Sequence, residues 1–307
     1  MKRRYFAAIL VLLVILLSSA CDSGRLTQFS TLATAGSLYV QNLHKVIQEA
    51  GSAMIASDSA VLVAAGKIAG KDVVSSHKDQ YTNNIQTNDA ELQQYLATLQ
   101  IIDAHATLLG SYFDALAKLA NSKADAKTSA AAGVLDSLSA VNPKVENATL
   151  KAANSSTSVK QFVPSGNPLV VAHFEVKAID EQLKKDAPTI DQALALQEAA
   201  VTAIVTQMKD SLAVSLQGRE LSDVISPYLE NVDKLPSDWS ANREAFLRAK
   251  VAIDSVDSAR AAIAQLHKDF RRIVEDRNAT IDFTTLLNDI NKMSGYESAL
   301  QSTAKPK

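Results

Sequence analysis

A long apolar seam in the first half of the chain constrains the fold more than any other feature. Between Leu92 and Ala120, apolar residues recur at alternating steps of three and four. The members are Leu92, Tyr95, Leu99, Ile102, Ala106, Leu109, Phe113, Leu116 and Ala120. With Asn88 and Glu91 as a capping-box pair at its start, this spacing predicts one helix about 50 Å long at 1.5 Å per residue. The a/d spacing is typical of coiled-coil-like packing, so this helix needs partner helices.

The rest of the chain carries similar helical patterns. Helices are predicted over residues 26–69, 88–120, 124–141, 169–186, 189–217, 239–273 and 283–300. A break is expected near Gly51, and the polar residues 71–87 are predicted to be a turn, a lid or an exposed helix face. Pro188 is expected to separate two helices, and Gly218 to end the second. A short element interrupted by Pro227 is expected over residues 222–234.

Composition supports the same fold class. Hydrophobic residues make up 47% of the chain but aromatic residues only 5%, and ten Gly and seven Pro interrupt it. With no strand-like alternation of any length, we predict an all-α fold, an elongated multi-helix bundle with coiled-coil-like long helices. An N-terminal half (26–141) and a C-terminal half (169–300) are joined by residues 142–168, which hold three of the prolines. Residues 301–307 are predicted to be a flexible tail, and the pattern is compatible with one domain or two.

The first twenty residues have the pattern of an export signal. Lys2, Arg3 and Arg4 precede an apolar run from Phe6 to Leu17, and small residues follow. At about 1.5 Å per residue the run would form a helix of about 18 Å, against a hydrocarbon core of about 30 Å. We therefore predict a cleaved signal peptide over residues 1–20, with an uncleaved anchor as the alternative.

The residues after the apolar run resemble the lipobox of bacterial lipoproteins. Ser19, Ala20 and Cys21 match its pattern of small residues before a cysteine, whereas Ser18 stands where leucine is usual. The resemblance implies that the thiol of Cys21 receives a diacylglycerol, that cleavage occurs just before it, and that the new amino terminus is acylated. Residues 21–25 would then form the lipidated tether, and several acyl chains at about 0.8 kcal/mol per buried CH₂ would hold the protein on the membrane.

Asp22 and the charge of the chain bear on its location and partners. In lipoproteins of enteric type, Asp after the lipidated cysteine resembles the sorting signal for the inner membrane, so residence there, facing the periplasm, is favoured in a cell with two membranes. In any cell we expect a lipid anchor on the extracytoplasmic side. Without residues 1–20, the chain has 28 basic and 33 acidic residues, a formal charge of −5, which disfavours nucleic acid as a partner. No thiol follows Cys21, so no disulfide supports the fold.

The sequence offers little chemistry. The five histidines form no metal-ligand pattern, and nucleophile-elbow, phosphate-loop and dinucleotide motifs are absent. Asp103 and His105, two residues apart, fall on different sides of a helix. Trp239 is interpreted as closing a turn at a helix start. The basic cluster of residues 267–272 with Arg277 is interpreted as a solvated face with pairs along its own helix; the alternative is contact with anionic lipid headgroups or an acidic partner. The carboxylates of Asp180 and Glu181 are likewise interpreted as part of a solvated face. We predict no catalytic, metal-binding or cofactor-binding residues and no cofactor; an enzyme would require distant residues such as His105 and His173 to converge.

These observations favour a non-enzymatic cell-envelope protein. We expect a lipid-anchored helical scaffold or modulator of partner proteins at the membrane. The alternative is a bundle that binds a small or apolar ligand between its helices. A binder needs a concave apolar cavity with a few polar groups inside it, whereas a scaffold needs a filled core and an exposed apolar or charged patch.

The lipid anchor is directly testable by mass. Intact-mass analysis of the protein from membranes is expected to show acyl chains on Cys21 as the first residue, because the thiol is the attachment point that the lipobox implies. Replacing Cys21 with Ser should abolish the added mass and the membrane retention. Acyl mass that persists in the Cys21→Ser protein would contradict the prediction.

Overall fold

The structure, a computed structural model, describes the backbone of residues 2–121, 128–154, 177–230 and 232–301. All of its long elements are α-helices, and no described residue lies in a strand. The α-helices are α1 (Lys2–Ala69), α2 (Lys71–Ser76), α3 (Lys78–Asn121), α4 (Thr128–Asn154), α5 (Lys177–Arg219), α6 (Ser226–Glu230), α7 (Trp239–Glu275) and α8 (Thr284–Gln301). A π-helix (Glu220–Ile225) leads from α5 into α6, and a 3-10 turn (Val232–Lys234) follows α6. The predicted all-α multi-helix bundle is confirmed.

Contacts between side chains define the directions of the helices. Ser37 of α1 bonds Asp114 of α3, and His44 bonds Asp103, so α1 and α3 are antiparallel. Arg25 of α1 pairs with Asp180 at the start of α5. We call the end of the bundle at this pair the near end, and the opposite end, where α5 finishes at Arg219, the far end. Thirty residues along both helices, Ser211 of α5 donates to the sulfur of Met54 of α1, so these helices are parallel. Helix α7 returns antiparallel to α5.

The helices share one apolar core. Its buried residues come from α1, α3, α4, α5, α7 and α8, and therefore from both halves of the chain. The seam predicted in α3 is confirmed, because its members from Tyr95 to Leu116 are all buried. A second, small cluster of Leu216 and Phe246 lies at the far end, where α5 gives way to the π-helix.

Two glycines bring α1 and α3 close together. A Cβ on Gly36 would lie 2.4 Å from the ring of Phe113, and a Cβ on Gly110 would lie 3.0 Å from Val40. The missing side chains therefore let the ring and the valine sit directly on the opposing backbone. This close approach supplies dispersion contacts that a larger residue would displace.

Several predicted boundaries are wrong, and burial explains why. Helix α1 continues through Gly51, and α3 begins at Lys78, ten residues before the capping pair at Asn88. Pro188 lies inside α5 and does not divide it. An interior proline costs about 3 kcal/mol, and the burial of Ala187 and Ile190 beside it offsets that cost.

The first part of the predicted central connection is helical. Residues 142–154, assigned by sequence to the connection, form the second half of α4, which passes through Pro143. The buried Asn142 and Val145 hold this part of α4 on the bundle. Residues 155–168 of the predicted connection, and residues 302–307 of the predicted tail, lie outside the described residues. The polar residues 71–87 form α2 and the exposed first turns of α3.

Substitution of Gly36 tests the packing of α1 on α3. Gly36→Ala is expected to lower the free energy of unfolding by about 1–3 kcal/mol, because the methyl group would overlap the ring of Phe113. Gly218→Ala is the matched control, since nothing lies within 4 Å of the added carbon, and should raise stability by up to about 1 kcal/mol through helix propensity. Chemical denaturation measures both. Equal effects of the two substitutions would contradict this packing.

Candidate functional site

A buried arginine marks the near end of the bundle. Arg25 of α1 is only 6% exposed, and its Nη2 lies 3.3 Å from Oδ1 of Asp180 in α5. The guanidinium also donates to the carbonyl oxygens of Ile273 and Asp276, at and just after the last turn of α7. A helix C-terminus carries partial negative charge, so this position suits a cation. Arg277 also pairs with Asp180, at 3.4 Å.

Arg25 follows the predicted lipidation site by four residues. The backbone from Cys21 to Arg25 is helical, so about one helical turn separates them. The side chains of Cys21 and Asp22 lie outside the described residues. The attachment point predicted from sequence is thus joined to the residue that ties α1 to α5 and α7.

A polar cluster crosses the middle of the core. His105 of α3 is fully buried, with Nδ1 at 2.6 Å from Gln197 of α5 and Nε2 at 3.0 Å from Asn142 of α4. Burial lowers the pKa of His105 despite these hydrogen bonds, so the ring is neutral and donates from one nitrogen while it accepts at the other. Either amide can supply the matching partner by presenting its oxygen or its NH₂ group. The cluster therefore aligns three helices without a buried charge.

A charged network joins α5 and α7 on the near-end side of the bundle. His267 places Nε2 at 2.9 Å from Asp191 and Nδ1 at 2.9 Å from Glu198. Because carboxylates only accept, an imidazolium satisfies both contacts. Burial opposes the charge of His267, but the hydrogen bonds to Asp191 and Glu198 and the charge of Asp191 overcome it, and the pKa of His267 is raised. Arg271 also binds Asp191 through both carboxylate oxygens.

The same network lowers the pKa of Asp191. Partial burial alone would raise the pKa of the Asp191 carboxyl, yet hydrogen bonds from His267 and Arg271, together with their charges, hold it well below its ordinary value. Asp191 therefore stays ionised and keeps the two basic side chains on α5. The network serves helix packing, because each of its groups is already matched by an opposite charge.

A cleft opens between α1, α3, α4 and α5, toward the far end from the His105 cluster. Its volume is about 850 Å³, within the usual range of about 300–1,000 Å³ for ligand pockets. Met54, Tyr95 and Ile101 supply apolar lining, and Asp58 and Lys144 bring charges to it. Tyr95 is 8% exposed, and its hydroxyl has no hydrogen-bond partner among the described residues. The seam position of Tyr95 was evident in the sequence, but the cleft was not.

Seven exposed large apolar side chains lie around α6 at the far end, and others lie along α1, α2 and the start of α3. We define the α6 tip as the exposed residues Val214, Leu221, Ile225, Tyr228, Leu229, Val232 and Leu247. Leu229 is 77% exposed. The backbone beneath is held in place, since Trp239 donates to the carbonyl of Val224 at 2.9 Å and its ring stacks on Tyr228. The Trp239 side chain thus joins the start of α7 to the π-helix and α6.

Other sequence interpretations need correction. In the basic cluster, Arg271 and His267 bind carboxylates of α5, where pairs along their own helix were expected, and Asp269 is buried beside Gln265. Asp180, interpreted as part of a solvated face, is buried beside Arg25. The pairs of Arg271 and His267 with α5, and of Asp180 with Arg25, join residues far apart in the chain, so helical spacing gave no signal for them.

The histidines do not converge on a catalytic or metal centre in the described part of the chain. Asp103 and His105 do face different sides of α3, as predicted: Asp103 binds His44, and His105 lies in the core. Within the described residues, no group of three or more His, Cys, Asp or Glu side chains is arranged to hold a metal ion. His173 lies outside the described residues.

Comparisons with protein-family models, curated proteins and solved structures found no match to this chain. Among the helices as far as they are described, none combines the length and apolar character needed to cross a membrane. The near end, the cleft and the α6 tip are therefore the parts of the molecule that bear on its function.

The charged network predicts a specific pH dependence. Since the folded state raises the pKa of His267 above its unfolded value of about 6.5, its stabilisation is complete below pH 6.5 and is lost as pH rises through the folded pKa. The free energy of unfolding of the natural protein should therefore exceed that of His267→Gln most at acidic pH. Exposed His77 provides the control, His77→Gln, with no such trend. A difference for His267→Gln that is constant from pH 5.5 to 8.5 would contradict the assignment.

Proposed function

We propose that this chain is a lipid-anchored, non-enzymatic protein of the cell envelope that scaffolds or modulates partner proteins at the membrane. The anchor is the acylated Cys21, the bundle faces the extracytoplasmic side, and the α6 tip is the docking surface for a protein partner. In a cell with two membranes, Asp22 favours the inner membrane and the periplasm. Nucleic acid is not proposed as a partner.

The observation that carries the proposal is the separation of the anchor end from the apolar tip. Arg25, one turn after Cys21, lies beside Asp180, and α5 runs from Asp180 to Arg219 at the base of the tip. At 1.5 Å per residue, this part of α5 is about 59 Å long. A protein held by lipid at the near end would present the tip well above the headgroups. The interhelical contacts between the two ends favour a rigid spacer.

The α6 tip has the properties of a docking surface. Large apolar patches that stay in water are unfavourable and commonly mark interaction sites. Between residues 219 and 238, five acidic residues stand against two basic ones. A partner with a basic, apolar surface would match both properties. The π-helix that leads into the tip is a rare element, frequent at functional sites.

The cleft supports a second candidate function, the binding of a small ligand between helices. It is concave and partly apolar, and Tyr95 and Gln207 are among the residues that line it. A concave, partly apolar cavity with some polar lining is what a ligand binder needs. The two functions use different surfaces and are compatible in one protein.

Proximity labelling in cells tests the scaffold proposal. A labelling enzyme fused to the lipidated protein should mark a reproducible neighbour, and a form exported without the lipobox should lose that neighbour. Leu229→Glu is expected to reduce the labelling at least fivefold, because it places a charge in the apolar tip.

A matched substitution away from the tip controls for this experiment. Leu38 of α1 is also exposed, at 39%, but lies beside the core helices. Leu38→Glu should leave the labelling unchanged. Equal labelling by the Leu229→Glu and Leu38→Glu proteins would reject the tip as the docking surface, and labelling that survives release from the membrane would reject the need for an anchor.

A further inference from the structure

We infer that the far end of the α1–α3 pair is the contact surface for a second copy of this chain. We call residues 54–94, which comprise the end of α1, all of α2 and the start of α3, the far-end hairpin. This surface is distinct from the α6 tip and adds self-association to the proposed scaffold function. Only the local concentration of the two copies rests on the proposed anchor.

The far-end hairpin has no core of its own. Its two long segments are helical and antiparallel, yet none of its described side chains is buried. Tertiary packing supplies most of the stability of a helix in a protein, so two helices that bury so little are only marginally stable in water. The hairpin therefore lacks the packing that the same helices have inside the bundle.

The apolar face that stays exposed continues the core of the bundle. In α1, Ile47 is buried and Met54 packs against the core, whereas Val61, seven residues further along, is 50% exposed. In α3, Leu99 is buried, and Ile85, two heptads earlier, is 44% exposed. Seven residues are close to two helical turns, so both exposed residues lie on the core side of their helices. The core face thus extends beyond the helices that cover it.

The covering helices end or turn away at the base of the hairpin. Ser211 of α5 contacts Met54, but Leu216, further along α5, packs on Phe246 of α7. The described part of α4 ends at Asn154, and α2 packs on α1 and α3. Beyond this level, the described residues leave the core face of the hairpin in solvent.

A second hairpin of the same kind would supply the missing cover. Two antiparallel helix pairs packed face to face form a four-helix arrangement in which each core face covers the other. The end of α1 from residue 54 to residue 69 is about 24 Å long, and two helices about 10 Å across are about 20 Å wide. This face of about 480 Å² in projection is over half of the roughly 800 Å² that each partner buries in a standard interface. The contact is therefore modest and depends on a high local concentration.

The charges of the hairpin suit a copy of itself. A two-fold contact places the same patch on both partners, so a patch of one sign would repel itself. Residues 54–94 hold five acidic and three basic residues. At the end of the hairpin, Lys71 precedes Asp72 and Lys78 precedes Asp79, and all four are exposed, so lysines of one copy can face aspartates of the other. The α6 tip, with five acidic residues against two basic ones between 219 and 238, lacks this balance.

The anchor proposed at the near end would place the two hairpins at the same height. Along α1, Met54 lies about 44 Å beyond Arg25 at 1.5 Å per residue. Copies held by lipid in one membrane share this height, and a two-fold axis along the membrane normal would bring hairpin to hairpin. Confinement to the membrane also raises the effective concentration of the second copy, which a modest contact needs.

Single-cysteine crosslinking in native membranes tests the inference on the full chain. Cys21 is the only cysteine and carries lipid in the proposed form, so one added cysteine is the reactive thiol, and the natural protein gives the background to subtract. With a bis-maleimide, Val61→Cys and Ile85→Cys are expected to form covalent dimers. Val63→Cys is the matched control, because Val63 is 55% exposed but lies about 200° around α1 from Val61. It should give at least fivefold less dimer.

A charge on the core face should separate the copies. Val61→Glu is expected to lower the yield of dimer from Ile85→Cys at least fivefold, because it places a carboxylate in the apolar contact. Val63→Glu should leave that yield unchanged. Both valines are half exposed, so neither substitution removes a core contact, and equal helical content by circular dichroism checks the fold.

Three outcomes would overturn the inference. Equal yields from Val61→Cys and Val63→Cys would indicate random collision. A higher yield from Leu229→Cys than from Val61→Cys would move the contact between copies to the α6 tip. Protection of Val61→Cys from a charged maleimide without any dimer would indicate a different cover, such as a lipid surface or another protein.

A form exported without the lipobox separates this contact from the anchor. At equal expression it should give less dimer from Val61→Cys, and the dimer should return when the purified protein is concentrated. If Cys21 carries no lipid, the concentrated protein should still form this dimer, so failure of the anchor leaves the contact standing. Acyl mass on Cys21 together with no preference for Val61→Cys over Val63→Cys would overturn the contact and leave the anchor in place.

Discussion

The burial of one face of α1 is the interaction on which the rest of the structure depends. Helices α3, α5, α7 and α8 all pack against α1, and its stripe from Phe29 to Ile47 lies in the centre of the core. No disulfide is available to this chain, so apolar burial at about 25 cal/mol per Å² has to supply most of the stability. The close approach at Gly36 lets α3 reach the backbone of α1. Helices α5, α7 and α8 pack against α1, and α4 packs against α3 and α5.

Polar groups inside the bundle determine which helices meet and in what register. The neutral His105 joins α3, α4 and α5 at mid-core, and the charged His267 joins α5 and α7. Burial lowers the pKa of His105 despite its hydrogen bonds to the two amides, whereas hydrogen bonds to Asp191 and Glu198 and the charge of Asp191 raise the pKa of His267 against the effect of burial. At the near end, Arg25 ties the first turn beyond the proposed anchor to α5 and α7. Rigidity between this end and the α6 tip is what the proposed scaffold requires.

Sequence reasoning succeeded where the pattern was local and failed where distant residues met. The seam from Tyr95 to Leu116 was predicted correctly, because a three–four spacing fixes one side of a helix whatever packs against it. The break at Pro188 was wrong, because packing on both sides of the proline outweighed the lost hydrogen bond. Asp180 was interpreted as solvated, since nothing near it in sequence reveals Arg25, 155 residues earlier. Of the candidate site, the sequence indicated Cys21 and Asp22 as the anchor and signal, and their roles stay predictions.

By itself, the sequence determined the fold class and the apolar faces of the long helices, and it indicated a lipobox-like segment before the bundle. Periodicity and composition are properties of neighbouring residues, so they can be read without knowing the partners. Only the tertiary structure decided that both halves share one core, that Arg25 is buried, that a cleft opens beside Tyr95, and that apolar residues remain exposed around α6. Each of these features arises where helices from distant parts of the chain meet or fail to meet, and their relative placement follows from packing rather than from local spacing.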